Sequence, residues 1–198
     1  RFGVDCFDTL TGFKHIAAKI RELEGKKEFI GGGEESFGFL IGDFVRDKDA
    51  VSGCCMLAEM AAYAASNGET LYDMLLNLYT EFGFYQEKQV SVVKKGKSGA
   101  EEIAKMMNDF RNAPPQTIDG VAVTQIIDYL KPEITGLPKS NVLQYFLSDG
   151  SKVSVRPSGT EPKIKFYFSI CSQMENVDLI EQRQEEALQK IDRIKQEL

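Results

Sequence analysis

Features that mark several common kinds of site are absent from this sequence. Its four cysteines include no Cys-x-x-Cys pair, so a zinc centre is not expected, and the adjacent Cys54 and Cys55 are poor disulfide partners for each other. We predict reduced, mostly buried thiols. There is no long basic run, and 30 acidic residues outnumber 24 basic ones, which argues against a nucleic-acid partner.

Long apolar runs are also missing. No stretch approaches the roughly 20 residues that a membrane-spanning helix needs, and no signal peptide opens the chain, so we predict a cytoplasmic protein without a membrane partner. With 198 residues, of which 42% are hydrophobic and 27% charged, the chain can bury a sizeable core and has room for two domains.

The first part of the sequence alternates the patterns of strands and helices. Residues 4–7 and 89–93 are typical of short strands. The spacing of apolar side chains predicts helices that begin near Phe13, Asp47, Thr70 and Ser98. The Ala- and Met-rich stretch 47–66 is predicted to be a buried helix. This alternation indicates an α/β domain with a mixed sheet and helices.

Two adjacent prolines mark the predicted boundary between the domains. Pro114 and Pro115 cannot continue the preceding helix, and they stiffen the connector into an extended form. We therefore predict a first domain over residues 1–112 and a second domain over residues 113–198.

The second domain has the pattern of an antiparallel sheet with helices. The dipeptide Asp149-Gly150 between two apolar runs is a strong hairpin signal. Apolar and polar side chains alternate over residues 164–170, which predicts a strand with one face toward a core. An amphipathic helix is predicted over residues 177–198. Antiparallel strands with helices packed on one face make an α+β domain.

Side chains that suit phosphate are concentrated in residues 156–162, with the sequence Arg-Pro-Ser-Gly-Thr-Glu-Pro. The guanidinium of Arg156 offers a planar fork of donors, and the hydroxyls of Ser158 and Thr160 add further hydrogen bonds. Gly159 lets backbone amides approach an anion closely. Taken alone, this composition is as often an ordinary turn that leads into a strand.

A second candidate site lies in residues 33–38, with the sequence Gly-Glu-Glu-Ser-Phe-Gly. The carboxylate of Glu34 can accept hydrogen bonds from two neighbouring sugar hydroxyls, and Ser36 can both donate and accept. Taken alone, the segment is more often an exposed acidic turn. Arg46 and Lys48 follow as positive charges that can stabilise phosphoryl oxygens or assist proton movement, or that are simply solvated at a helix start.

Together these segments resemble one protein family. Residues 156–167 resemble the phosphate-binding loop in the last domain of the α-D-phosphohexomutases, the phosphoglucomutase and phosphomannomutase family. Residues 33–38 resemble the sugar-recognition loop of that family's third domain. Residues 11–14, Thr-Gly-Phe-Lys, and 46–49, Arg-Asp-Lys-Asp, also match family segments, and the four matches stand in the family's order over nearly the whole chain.

The resemblance implies roles for individual residues. The phosphate that is not transferred is assigned to Arg156, Ser158, Gly159, Thr160 and Lys165. The sugar and the cleft around it are assigned to Glu34, Ser36, Arg46, Thr11 and Gly12. The catalytic role at the attacked hydroxyl is assigned to Lys48. For Thr11 and Gly12, a plain helix start is an equally good interpretation.

The family's catalytic loops do not occur in this chain. Intact members of that family have four domains, with a phosphoserine loop in the first and an Asp-x-Asp-x-Asp-Arg magnesium loop in the second. Neither loop occurs in this sequence. The single histidine, His15, stands in a helical pattern and not in the phosphoserine motif. We therefore expect the third and fourth domains of a hexose 1-phosphate/6-phosphate mutase, without the strand and helix that open the third domain.

The same resemblance gives the expected cofactors and partners. The intact enzyme would use Mg²⁺ and a hexose bisphosphate intermediate, and its N-terminal domains would be partners of this chain, which we expect to be inactive alone. One alternative is a non-catalytic module that binds a phosphosugar, and another is a fragment that dimerises through an open sheet edge. Because Phe37-Gly38 stands where some members have a histidine after the serine, the sugar preference is open.

Overall fold

The computed structural model describes residues 2–94 and 96–197, and for Lys97 the backbone alone. The chain divides into two compact units, Arg1–Met74 and Leu75–Leu198. Each unit has its own cluster of buried apolar side chains. Within residues 2–94 and 96–197, every helix is too short or too polar to serve as a membrane span.

The division between the units follows Met74. The two prolines predicted it near residue 112, well after this position. The strand Phe84–Val93 and the helix Gly96–Asn112 both precede those prolines and both belong to the second unit. The reason is that Phe84–Val93 pairs along its whole length with the strand Lys163–Ser172. This long-range ladder places a strand from the predicted first domain inside the sheet of the second unit.

The first unit is built from one amphipathic helix and a small antiparallel sheet. Helix α1 (Phe13–Leu23) lies against strands β1 (Gly31–Gly33) and β2 (Phe39–Ile41), which pair with each other. Five side chains form its core, Phe13, Ile20, Leu40, Ile16 and Phe29. Residues 4–7 have no regular secondary structure, so the strand predicted there is wrong, and the sheet of this unit is antiparallel over the described residues.

The second helix of this unit, α2 (Ala50–Ser66), corrects another prediction. Its N-cap is Asp49, two residues after the predicted start at Asp47, and the Asp49 carboxylate accepts a hydrogen bond from the backbone N–H of Ser52 at 2.9 Å. The helix is not buried, however, because Ala64 is its one buried residue and the first unit offers no further surface to cover it. Val51 is 72% and Leu57 is 55% exposed.

The burial of the cysteines was also predicted wrongly. Cys6, Cys54 and Cys55 are exposed and Cys171 is partly buried, so the prediction of mostly buried thiols is wrong. All four are free of disulfides. Two of them lie on α2, and their exposure is a direct result of the uncovered helix.

Helix α3 (Leu71–Phe82) spans the division between the units and has the predicted start. The hydroxyl of Thr70 accepts a hydrogen bond from the N–H of Asp73 at 3.2 Å, and the Asp73 carboxylate accepts from the N–H of Thr70 at 2.8 Å. This reciprocal cap satisfies two donors that the helix itself leaves unpaired.

The second unit contains a six-stranded antiparallel sheet in the order β3-β8-β7-β6-β5-β4. Its strands are β3 (Phe84–Val93), β4 (Thr117–Ile118), β5 (Val121–Asp128), β6 (Leu143–Leu147), β7 (Lys152–Pro157) and β8 (Lys163–Ser172). Its helices are α4 (Gly96–Asn112), the short α5 (Pro132–Thr135) and α6 (Ile180–Glu197), which follows the 3-10 turn Val177–Leu179. The predicted α+β class and the predicted β6–β7 hairpin are confirmed.

One face of this sheet packs against α4 and α6, and the other face is polar. The buried cluster joins alternate residues of β6, β7 and β8 to residues of both helices, among them Met107 and Ile191. Tyr145 at its centre is fully buried, and its hydroxyl donates a hydrogen bond to the carbonyl of Phe110 at 3.1 Å. The residues between the buried positions therefore lie on the opposite face of the sheet.

Candidate functional site

Residues 33–38, the predicted sugar-recognition segment, form the turn between β1 and β2. The backbone N–H of Glu34 donates to the carbonyl of Gly38 at 2.9 Å, and the N–H of Phe37 donates to the carbonyl of Glu34 at 3.2 Å. These two bonds close a tight loop that holds Glu34 half-buried and Ser36 exposed. The segment therefore lies between two short strands.

Gly38 leaves the space that the Glu34 side chain occupies. Gly38 is buried, and a Cβ atom at this position would lie 2.5 Å from Oε1 of Glu34 and 2.9 Å from its Cγ. The Glu34 side chain thus folds back over the glycine and occupies the space that any other residue would need.

Phe37 breaks the local rules of backbone conformation. Its φ angle of 67° is in the left-handed region, which is strained for a residue with a side chain, and its ring is 100% exposed. An exposed ring contributes nothing to the core of the first unit. Strain that is kept without a packing benefit is typical of positions that contact a ligand or a partner.

Arg46 and Lys48, the cations that follow this turn in the sequence, form ion pairs with other residues. Arg46 donates to the carboxylate of Glu24 at 2.7 Å, and Lys48 donates to the carboxylate of Asp47 at 3.1 Å. Hydrogen bonds from Lys48 lower the pKa of the Asp47 carboxyl below its ordinary value. Over the described residues, neither cation forms a hydrogen bond or ion pair with Glu34 or Ser36. Both cations and both of their carboxylate partners are exposed.

Thr11 and Gly12 lie at the start of α1, as predicted. Gly12 is the N-cap with a φ angle of 112°, which only glycine adopts readily, and its carbonyl accepts from the N–H of His15 at 2.9 Å. Thr11 is exposed and makes no side-chain cap to this helix. The helix start is therefore shaped by the backbone of Gly12 and leaves the Thr11 hydroxyl available.

Residues 156–162, the predicted phosphate-binding segment, form the connection between β7 and β8. The N–H of Ser158 donates to the carbonyl of Lys163 at 2.7 Å, which closes the loop at its base. Within the loop, the hydroxyl of Ser158 accepts from the N–H groups of Thr160 at 3.4 Å and Glu161 at 3.3 Å. Gly159 and Thr160 are exposed at the tip, and a Cβ atom at Gly159 would meet nothing within 4 Å.

Arg156 and Lys165 are directly opposed on neighbouring strands. They are cross-strand partners in the β7–β8 ladder, so their side chains project from the same face of the sheet. Both are half-buried, and neither has a hydrogen bond or ion pair within the part of the chain that the structure describes. Two adjacent cations without a protein anion form a site where a dianion is favoured.

The next strand adds a residue that the sequence did not point to. Ser91 on β3 is the cross-strand partner of Lys165, so one row across three strands carries Arg156, Lys165 and Ser91. The side chain of Gln89 donates to the Ser91 hydroxyl at 3.4 Å. The signal was hidden because the β3–β8 pairing joins segments that are far apart in the sequence.

One carboxylate lies close to this row and modifies its charge. Glu161 forms an ion pair with Lys163 at 2.7 Å. Hydrogen bonding and charge from Lys163 lower the pKa of the Glu161 carboxyl, and the charge of Lys165 adds to the effect. Glu161 is therefore already matched by Lys163, which leaves Arg156 and Lys165 as the excess positive charge. In residues 2–94 and 96–197, no three His, Cys, Asp or Glu side chains are grouped to hold a metal ion.

Comparisons with known proteins cover both units. The model for phosphoglucomutase/phosphomannomutase, alpha/beta/alpha domain III, matches residues 1–82, and the model for the phosphoglucomutase/phosphomannomutase C-terminal domain matches residues 87–186. The match to domain III thus includes residues 33–38, where we predict sugar recognition, and the match to the C-terminal domain includes residues 156–162, where we predict phosphate binding.

Two curated relatives are phosphoglucomutases. The chain is 39% identical over 185 residues to that of Staphylococcus haemolyticus and 40% identical over 185 residues to that of Staphylococcus aureus strain MRSA252. Each match covers 88% of this chain and 33% of the relative, so the chain spans about a third of their length.

A solved structure gives the same fold. The open form of the phosphoglucomutase pp63/parafusin from Paramecium superposes with a TM-score of 0.68 over 98% of this chain and 35% of that protein. At 20% identity, this similarity concerns the fold alone.

Proposed function

The chain belongs to the phosphoglucomutase/phosphomannomutase family, and we propose that it supplies sugar and phosphate recognition to an enzyme that interconverts hexose 1-phosphate and hexose 6-phosphate. The observation that carries the proposal is the pair Arg156 and Lys165, which are opposed on neighbouring strands and form no ion pair within the described residues. Beside them, the Ser158 loop presents Gly159 and Thr160 at an exposed tip. This arrangement fits a phosphate dianion.

The sugar-recognition turn supplies the second contact. The half-buried carboxylate of Glu34 would accept hydrogen bonds from two neighbouring ring hydroxyls, and Ser36 would complete the set. The position of Glu34 supports this role because its side chain packs over Gly38 and is half-buried in the turn. The exposed ring of Phe37 would contact the apolar face of the sugar.

In the intact enzyme, a phosphoserine would donate its phosphoryl group to the free hydroxyl of the hexose phosphate, which gives a bisphosphate. The enzyme would then recover a phosphoryl group from the other end. Catalysis of such a transfer depends on positioning and on charge stabilisation. Arg156 and Lys165 would bind the phosphate that stays in place, and Glu34 would orient the ring. Lys48 would give up its ion pair with Asp47, contact the attacked hydroxyl and stabilise the charge that develops there.

Magnesium would neutralise charge on the transferred phosphoryl group in the intact enzyme. The part of the chain that the structure describes has no group of side chains suited to hold it. We therefore assign the magnesium site and the phosphoserine to the N-terminal domains of the parent protein, and no step of the mechanism in this chain depends on the metal. Arg46, Thr11 and Gly12 stay predicted cleft residues.

The N-terminal domains of the parent protein are also the proposed partners of the first unit. Helix α2 exposes Val51, Leu57 and Tyr63, the last at 63%, although its composition is that of a buried helix. Exposed apolar surface of this extent is typical of an interface. Because the chain spans about a third of its relatives, the remaining two thirds would provide the covering surface.

Calorimetric titration of this chain with glucose 1-phosphate, glucose 1,6-bisphosphate and inorganic phosphate tests the phosphate site. We expect all three to bind, and Arg156→Ala to weaken each by about tenfold to a hundredfold, because it removes charge-assisted hydrogen bonds worth about 1.5–3 kcal/mol. Arg21→Ala is the matched control, because Arg21 is an exposed arginine on α1. Equal affinities in wild type and Arg156→Ala would remove the proposed phosphate site.

The alternative is a phosphosugar-binding module without catalysis. It is favoured by one observation, the absence of both the phosphoserine pattern and the alternating aspartates from the chain. Mutase activity in the full-length parent, and none in this chain, would support the enzyme. Full-length protein that binds glucose 1-phosphate but does not convert it would support the module. Dimerisation through a sheet edge is tested by measuring the mass of the chain in solution.

A further inference from the structure

The helix-covered face of the second unit contains a small apolar cavity. Its volume is about 200 Å³, and it lies between the sheet and helices α4 and α6. Its apolar lining is formed by Val90 and Val92 of β3, Met106 of α4, and Phe166 and Phe168 of β8. Phe166 and Phe168 belong to the buried core, whereas the valines and Met106 are half-buried, so the cavity reaches from the core toward the edge strand.

Two ammonium groups lie at the border of this cavity. Lys94 follows β3 and Lys195 belongs to the last turn of α6. Lys94 forms an ion pair with Glu102 at 3.1 Å, and Asp192 pairs with Lys88 at 3.8 Å. Within residues 2–94 and 96–197, Lys195 has no ion pair. The border of the cavity therefore carries one uncompensated positive charge on a chain whose net charge is −6.

The cavity is separate from the phosphate-binding site. Strand β8 alternates its side chains between the two faces of the sheet, so Phe166 and Phe168 line the cavity while Lys165 and Tyr167 project from the opposite face. A phosphosugar does not suit the cavity because the only polar partners among the described residues of its lining are the two ammonium groups at the border, while the apolar side chains offer ring hydroxyls no hydrogen bond. The ligand must be apolar over most of its length and negative at one end.

We propose that this cavity binds a small amphipathic carboxylate, with its chain against Phe166 and Phe168 and its carboxylate at Lys195. Apolar cavities of about 150 Å³ hold one benzene molecule. By the same measure, about 200 Å³ accommodates a chain of roughly six to eight carbon atoms. The uncompensated ammonium of Lys195 selects an anion over a neutral chain of the same length, since charges of opposite sign at a partly exposed border attract.

The test is a titration of this chain with octanoate, followed by backbone and methyl NMR. We expect saturable shifts at Val90, Met106 and Phe168, and none in the loop 156–162. Met106→Trp should fill the cavity and weaken octanoate binding at least tenfold. Lys195→Gln should weaken it up to about fivefold, the range of a partly exposed ion pair. Lys105→Gln is the control, because Lys105 lies on α4 in an exposed pair with Asp109.

The outcomes separate the proposal from non-specific binding. Shifts that are scattered over the surface, or that cluster in the loop 156–162, would overturn it. So would octanoate binding that both Met106→Trp and Lys195→Gln leave unchanged. If Met106→Trp does not fold, the decision rests on Lys195→Gln and on the location of the shifts, because Lys195 is exposed and its substitution leaves the core intact.

Discussion

Replacing Gly38 by alanine should disable the sugar-recognition turn without unfolding it. The new Cβ would lie 2.5 Å from Oε1 of Glu34, whereas ordinary contact begins at 3.4 Å. The carboxylate must therefore move by about 1 Å, and misplacements of that size cost up to about a hundredfold in well-positioned sites. The nearest atoms belong to a flexible side chain and not to the backbone. Glu34 can swing away, so the fold survives.

The expected effect on stability is small. Gly38 is not among the glycines in the left-handed region, so alanine can adopt its backbone conformation. The lower entropy of the unfolded chain stabilises the variant by about 0.4–1 kcal/mol, and the displacement of Glu34 offsets part of this gain. We expect the free energy of unfolding to change by less than about 1 kcal/mol, as measured by urea denaturation.

The expected effect on binding is specific to the sugar. Gly38→Ala should weaken glucose 1-phosphate at least about tenfold, because a charge-assisted hydrogen bond worth about 1.5 kcal/mol is lost. Inorganic phosphate, which needs only Lys165 and the loop 156–162, should bind as in the wild type. The ratio of the two affinities is therefore the measurement, and Glu34→Gln should change it in the same direction.

Gly53→Ala is the matched control. Gly53 lies inside α2, and a Cβ atom there would meet nothing within 4 Å. Alanine should stabilise this helix by about 0.5–1 kcal/mol and leave both affinities unchanged. If Gly38→Ala binds glucose 1-phosphate normally while Glu34→Gln does not, the inferred contact between Gly38 and Glu34 is wrong. If neither variant loses affinity, Glu34 does not bind the sugar.

Three further predictions concern stability. Burial raises the pKa of Tyr145 to about 12, while the unfolded value is about 10. The stability that this group contributes is present below pH 10 and is lost as the pH rises toward 12, by about 3 kcal/mol in total. Tyr145→Phe should abolish that loss. At pH 7 the same substitution should cost about 1 kcal/mol, because it leaves the carbonyl of Phe110 unpaired. Phe37→Gly should raise the urea midpoint, because it relieves about 1 kcal/mol of left-handed strain, and a lower midpoint would show that the exposed ring is stabilising. Hydrogen bonds from Arg193 at 2.7 and 2.8 Å lower the pKa of Asp119, so Asp119→Asn should cost about 1 kcal/mol at pH 7, since water screens the exposed Arg193. The difference should shrink as the pH falls through the lowered pKa of Asp119. A difference that stays constant in acid would mean that the charge is not its source.

Local signals in the sequence predicted local structure well. The Thr70 cap and the β6–β7 hairpin depend on residues within a few positions of each other, and both are present in the structure. In the hairpin, Gly150 has a φ angle of 85°, and the Asp149 carboxylate accepts from the N–H of Ser151 at 2.9 Å. Turn chemistry of this kind can be recognised without knowing the rest of the fold.

Long-range pairing explains what the sequence did not predict. Strand β3 belongs to the second unit because it pairs with β8, and no pattern within residues 84–93 specifies that partner. The same ladder places Ser91 beside Lys165, so this member of the candidate site was missed, although Arg156 and Lys165 were both predicted. The burial of α2 was also predicted wrongly, since composition shows that a helix is apolar but not what covers it.

The uncovered helix α2 has a consequence for handling the isolated chain. Water must solvate Val51, Leu57 and Tyr63 on a rigid surface whose own unit has only a small core. Salts such as sulfate strengthen apolar association. Clouding and self-association should therefore increase with ammonium sulfate, and the first unit, rather than the six-stranded sheet, should be where aggregation starts.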